Sequence, residues 1–151
     1  MALPTSIELH IVTPDRPIVK EQVDEVEIPG VDGYFGVLPG HTPMLAALSV
    51  GELWYRKGQE RTYLAIAEGY VEILPNRVTI LALLAERAEE IDLERAERAR
   101  ERASQRLEGR SDVDYARARI SLMKSLTRLQ VSSRIASGAG PRLKRVHREG
   151  A

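Results

Sequence analysis

The chain has 151 residues, with 22 Lys+Arg against 22 Asp+Glu and a formal net charge of zero. That length is one ordinary domain or two small ones. The absence of cysteine excludes disulfides, thiolate zinc sites, iron–sulfur clusters and cysteine nucleophiles.

The neutrality is a cancellation. Residues 1–86 hold 6 basic and 12 acidic side chains, net −6, while residues 87–151 hold 16 and 10, net +6. Such asymmetry marks two units with different surfaces and partners. The longest near-apolar run, Val78 to Ala85, falls far short of the roughly 20 residues of a membrane span. Met1 to Ser6 lacks the basic and apolar regions of a signal peptide, so the expectation is a soluble, cytosolic chain.

In chain order, Ile7 to Val12 alternates apolar and polar residues, the period of a half-buried strand. Pro14 to Pro17 punctuates it, and Val23 to Ile28 is a second β-like run closed by Pro29-Gly30. Leu53–Arg56 and Thr62–Ala67 flank the connection Lys57-Gly58-Gln59-Glu60, and Tyr70–Leu74 and Val78–Leu81 flank Pro75-Asn76-Arg77. Short strands with frequent turn signals predict a sandwich or barrel.

After Ala85 the pattern changes. Residues 91–107 are rich in Ala, Glu, Arg and Leu, with Asp92 as N-cap and Gly109 as terminator. The expected stripe, Leu93, Ala96, Ala99 or Arg100, Ala103 and Leu107, is narrow and mostly alanine, so a partner helix can approach closely. A second helix is predicted after Gly109-Arg110-Ser111, with Ser111 as N-cap and Asp114 at N3. Its expected apolar stripe is Ala116, Ile120, Met123, Leu126 and Leu129, beside Leu122. Two helices joined by about three residues run antiparallel. The fold class expected is α+β by segregation: an N-terminal antiparallel β-sandwich followed by a C-terminal antiparallel two-helix hairpin. The expected divisions are a sandwich over 1–86, a hairpin over 87–137 and a disordered basic tail over 138–151. An alanine-lined hairpin of this size is only marginally stable alone, which makes it a candidate moving part.

No catalytic constellation emerges, and no metal site. His10, His41 and His147 stand apart without metal-ligand spacing. Ser49, Ser132 and Ser133 lack a nucleophile-elbow context. Asp24 and Glu25, read as strand neighbours, point to opposite faces and form no dyad. Gly30 to Gly36 is neither G-x-G-x-x-G nor a P-loop, and reads as a tight turn and a strand. Arg110, Arg117, Arg119, Lys124, Arg128 and Arg134 give the second helix a basic face, with one aromatic, Tyr115. Nucleic acid is the generic partner of such a stripe, but base stacking is poorly supported, and an acidic protein surface or a nucleotide phosphate satisfies the charge as well.

Four ordered segments then resemble one family, the epsilon subunit of F-type ATP synthase, over about residues 6–131. They are Gly33 to Leu45, Ala67 to Ile73 continuing into Asn76 to Ala82, Ile91 to Ala96, and Asp112 to Ala116. The resemblance implies a non-catalytic rotor subunit without a cofactor. It would be peripheral on the cytoplasmic face of the bacterial membrane, without inserting into it, and would couple proton or sodium flow to ATP synthesis. Its sandwich would contact the gamma subunit and the c-ring through Gly33, Tyr34, Phe35, Gly36, Leu38, Pro39, Gly40 and His41, with Tyr34 standing where many relatives carry an acidic residue. The hairpin would inhibit ATP hydrolysis, turning Arg110, Arg117, Arg119, Lys124, Arg128 and Arg134 toward acidic segments of the beta and alpha subunits; nucleic acid is no partner. The alternative it implies is an ATP-sensing module using Glu86, Ile91, Asp92, Arg95, Ala96, Arg102, Arg117, Lys124 and Arg128. Lys124 replaces an arginine of the ATP-binding members there, losing the bidentate fork toward phosphate.

Overall fold

Eight strands precede two helices in the computed structural model, which describes residues 3–108 and 112–137. The strands are β1 (Ile7–Val12), β2 (Pro17–Val23), β3 (Glu25–Gly30), β4 (Gly33–Val37), β5 (Met44–Leu48), β6 (Gly51–Lys57), β7 (Glu60–Leu74) and β8 (Arg77–Arg87). A 3₁₀ turn at Ala88–Glu90 leads to α1 (Leu93–Glu108), and α2 spans Asp112–Ala136.

β7 organises the sheet. Its first half pairs with β6, from Lys57↔Glu60 to Gly51↔Ile66, and its second half with β5, from Leu48↔Gly69 to Met44↔Ile73. The switch falls at Glu68 and Gly69, both at positive φ. β3 pairs with both β5 and β6, so β7, β5, β3 and β6 form a closed circuit. The sheet therefore folds back on itself into a sandwich, with two layers facing one core. Alternation supplies that core: Ile7, Leu9 and Ile11 point inward from β1, Val71 and Ile73 from β7, and Val78 and Ile80 from β8.

Several expectations need correction. Pairing is antiparallel except between β1 and β8, which run parallel. The predicted strands at 62–67 and 70–74 are one bent strand. β2 and β5 were not anticipated, because each buries little: Val19 and Val23 in β2, and Leu48 in β5. Val23 ends β2, and Asp24 lies between strands. This break turns Asp24 and Glu25 toward one cation instead of opposite faces: Arg56 Nε donates to Glu25 at 3.1 Å, and Arg56 Nη1 stands 3.7 Å from Asp24.

The hairpin also differs from expectation. Asp92 caps α1 as predicted, its Oδ1 accepting the Arg95 N–H at 3.1 Å. α1 buries Ala96 and Ala103, seven residues apart, but leaves Leu93 exposed. α2 buries Ala118, Ser125 and Ser132, again seven apart, while Ala116, Ile120, Met123 and Leu126 face outward. The broad apolar stripe is thus not the buried one. Small side chains on both helices let the backbones approach, and the buried hydroxyls bond back into their own helix, Ser125 to the Ser121 carbonyl and Ser132 to that of Leu129. The turn Gly109-Arg110-Ser111 and the tail over 138–151 lie outside the described residues.

Candidate functional site

The Gly33–His41 segment is half strand and half turn. β4 occupies Gly33–Val37, paired to β3 from Gly30↔Gly33 to Val26↔Val37. Alternation sends Phe35 against the core, and the Tyr34 hydroxyl accepts the Glu52 N–H at 3.1 Å. The tip is Leu38 to His41. There the His41 N–H donates to the Leu38 carbonyl at 3.2 Å, and Gly40, at φ 85, donates its N–H to the Pro75 carbonyl at 2.7 Å. His41 Nδ1–H donates to the Thr42 carbonyl at 2.7 Å. The tip is thereby fastened to the β7–β8 turn, with Leu38 and the following Thr42 to Leu45 exposed. Of the eight residues expected to form one contact, Gly33, Tyr34, Phe35 and Gly36 lie along β4, and Leu38, Pro39, Gly40 and His41 make up the tip.

A second exposed region has no counterpart in the sequence reading. Register places Tyr70 beside Leu81, and Leu81 beside Val12, across β7, β8 and β1. Tyr70 is 69% exposed and Leu83 65%, and with Val12 and Leu81 they line an apolar groove of about 500 Å³. In β8, Leu81 and Leu83 face out and Ile80 and Ala82 in. A continuous apolar run conceals it, because both faces read as core.

The third region is where α2 crosses the sheet. Tyr63, Ala65, Ala88 and Val131 form a small apolar contact, flanked by Trp54, Leu84 and Ile91. Around it, cations of α2 meet carboxylates of the sandwich. Arg134 donates to Glu52 from Nη2 at 2.8 Å and Nε at 3.1 Å. Arg128 donates likewise to Glu86 at 2.8 and 3.0 Å, and Lys124 reaches Glu68 at 3.4 Å. The Glu52 carboxylate raises the pKa of Arg134, chiefly by hydrogen bonding and against the effect of burial. Of the basic face read from sequence, Lys124, Arg128 and Arg134 are thus engaged within the chain, and Arg117 and Arg119 are exposed; Arg110 lies outside the described residues.

Beside the Arg128 pair is a cleft of about 150 Å³ lined by Glu86, Glu90, Asp92, Arg95, Ala96 and Arg128. Five of the residues expected to bind ATP converge there, and Glu90 joins them. Ile91 instead packs under α2, while Arg102, Arg117 and Lys124 do not line the cleft. Three carboxylates face two guanidinium groups. Arg128 is already paired, and the Asp92 Oδ1 caps α1. Among the described residues, no group of three or more acidic or histidine side chains is placed to hold a metal ion, and no helix is long and apolar enough to cross a membrane.

Comparison with known proteins places these features in one context. The family model described as "ATP synthase, Delta/Epsilon chain, beta-sandwich domain" matches residues 6–88, and "ATP synthase, Delta/Epsilon chain, long alpha-helix domain" matches residues 89–133. The ATP synthase epsilon chain of Nitratidesulfovibrio vulgaris strain DP4 is 46% identical over 127 residues, covering 83% of this chain and 95% of its own. That of Syntrophobacter fumaroxidans is 50% identical over 129 residues, covering 85% and 96%. In fold, the chain is similar to one in the cryo-EM structure of the Euglena gracilis mitochondrial ATP synthase, OSCP/F1/c-ring, with TM-score 0.74 and 23% identity, covering 91% of this chain and 84% of that one.

Proposed function

The chain belongs to the ATP synthase delta/epsilon family, and from that premise we propose that it is the non-catalytic epsilon subunit of a bacterial F-type ATP synthase. It sits in the central stalk, peripheral to the cytoplasmic face of the membrane, and turns with gamma and the c-ring as proton or sodium flow drives synthesis. The Leu38–His41 tip meets the c-ring, and the apolar face around Tyr70, Leu81 and Leu83 meets gamma. An exposed patch of this kind favours a permanent partner. In this reading the hairpin leaves the sandwich, extends toward the catalytic head and restrains ATP hydrolysis through its basic side chains on acidic segments of the beta and alpha subunits.

One observation carries the regulatory part. Among the described residues, α2 is joined to the sandwich by a small apolar contact and three ion pairs, with a seam of alanine and serine between the two helices. So little buried apolar surface leaves two docking states close in free energy, as a switch requires. The test is ATP hydrolysis by a reconstituted head with gamma, given either the full chain or residues 1–86. Both are expected to bind gamma, and only the full chain to inhibit. Inhibition by residues 1–86 sinks the hairpin assignment, and failure of the full chain to bind gamma sinks the stalk assignment.

The second reading, ATP sensing, is favoured by the convergence of Glu86, Asp92, Arg95, Ala96 and Arg128. It requires rearrangement. The cleft of about 150 Å³ is below the roughly 300 Å³ of ordinary ligand pockets, and a triphosphate must displace Glu86 from Arg128. Calorimetry on the full chain tests it: ATP heat is expected to vanish in Arg95→Ala and Arg128→Ala, and no heat at millimolar ATP rejects it.

A further inference from the structure

A separate cavity of about 440 Å³ lies on the β3–β6–β7 face, with walls that include Glu27, Tyr34, Trp54, Arg61, Tyr63 and Arg134. It shares no residue with the Leu38–His41 tip, the groove at Tyr70 or the Glu86–Arg128 cleft. Its volume falls within the roughly 300–1,000 Å³ of ordinary ligand sites.

Strand register builds it. Glu27 of β3 stands opposite Trp54 of β6, and Trp54 opposite Tyr63 of β7, so the three side chains form a row across one face. Arg61 stands opposite Arg56, which Glu25 and Asp24 already hold. Repelled by that neighbour, the Arg61 guanidinium lies over the Trp54 ring, 4.1 Å from its centroid. Stacking leaves its N–H edge open to the cavity. Arg134 covers Tyr63 in the same way at 5.0 Å, and it gives Nε and Nη2 to Glu52 while Nη1 stays open. The Tyr34 hydroxyl accepts the Glu52 N–H and keeps its own proton for a ligand. It reaches that backbone because residue 51 is glycine; a Cβ there would overlap it.

One cation and one carboxylate are left over. Among the described residues, Arg61 and Glu27 take no part in the ion pairs of this face. Trp54, which carries Arg61, is one strand spacing of about 5 Å from Glu27. The geometry points to a site for a free α-amino acid with an apolar side chain. Its ammonium meets Glu27, and its carboxylate meets Arg61, the Tyr34 hydroxyl and Arg134 Nη1. Its side chain lies against the Tyr34 ring, which is 57% exposed. A lone anion would face Glu27 and a lone cation would face Arg61, so only a ligand with both charges a few bonds apart suits the two.

Trp54 is the only tryptophan of the chain, so its fluorescence reports on the cavity directly. The full chain is titrated with L-phenylalanine and L-leucine, with calorimetry in parallel. Two analogues, 3-phenylpropanoate and 2-phenylethylamine, keep the body of phenylalanine and lack its ammonium or its carboxylate. Both amino acids are expected to saturate the site with a Kd on the order of 1 mM or tighter. Each analogue is expected to bind about tenfold more weakly than L-phenylalanine. Glu27→Gln should abolish the preference for phenylalanine over 3-phenylpropanoate, and Arg61→Gln the preference over 2-phenylethylamine. Circular dichroism confirms that each variant keeps its sheet, and the analogue series in the parent decides if one does not. The site is overturned if neither amino acid gives a fluorescence change or heat at about 10 mM, the result expected if Glu27 and Arg61 merely pair with each other. It is also overturned if an analogue matches L-phenylalanine, or if the preferences survive in the folded variants. None of these outcomes depends on binding to gamma, so the stalk assignment stands or falls separately.

Discussion

Gly69 lies so close to the Leu81 carbonyl that a Cβ there would overlap it. With Gly69 at φ 145 and Glu68 at φ 56, this is the bend at which β7 leaves β6 for β5 and closes the sandwich. Alanine at this position meets both the backbone overlap and an unfavourable φ. Gly69→Ala is expected to cost about 3 kcal/mol or more, read by urea unfolding. A loss below about 1 kcal/mol would show that the bend relaxes freely.

Asp92 lines the cleft and also caps α1. Asp92→Ala should lower stability by about 1 kcal/mol, whereas Asp92→Asn, an equally good cap, should change little. Equal losses in the two variants, measured by thermal unfolding at 222 nm, would mean that charge in the cleft matters rather than the cap.

The inverted face of α2 gives a paired test. Ser125 is buried in the small-residue seam, while Met123 faces out. Ser125→Leu overpacks the seam and should cost about 2 kcal/mol of helical stability. Met123→Ser should cost less than about 0.5 kcal/mol. The opposite order in urea unfolding of the helical signal would restore the apolar stripe as the buried face.

His10 Nε2 and Glu8 Oε1 are 2.7 Å apart on β1. The hydrogen bond from His10 is the main cause holding the Glu8 carboxyl below its ordinary value of 4.5, opposed by burial and aided by the charges of His10, Lys20 and Arg77. A carboxyl with a depressed folded pKa stabilises the protein above its unfolded value, and that contribution disappears as pH falls through the folded value. Carboxyl-carbon NMR titration should place the Glu8 midpoint below 4.5, and His10→Ala should move it up. An unmoved midpoint refutes the cause given.

Periodicity and punctuation alone determined much of this protein. Ile7–Val12 is a strand over the span its alternation marks, Asp92 caps the helix that follows it, and strand gives way to helix, though after Arg87 rather than after Ala85. The charge asymmetry between the halves was also legible, and its ordered segments pointed to the family. Local pattern could not assign the faces. β2 and β5 bury too few side chains to show a period, and the run through Leu81 and Leu83 hides an exposed face inside an apolar stretch. On α2, hydrophobicity chose the wrong side, because close approach of Ala96 and Ala103 to a helix lined by Ala118 and Ser125 outweighs the larger side chains left outside. Three of the cations that looked free in the sequence, Lys124, Arg128 and Arg134, are held by Glu68, Glu86 and Glu52, each from a different strand. Which carboxylate meets which cation depends on how the sheet closes at Gly69 and where α2 crosses it, and both are properties of packing between distant segments rather than of any local stretch of residues.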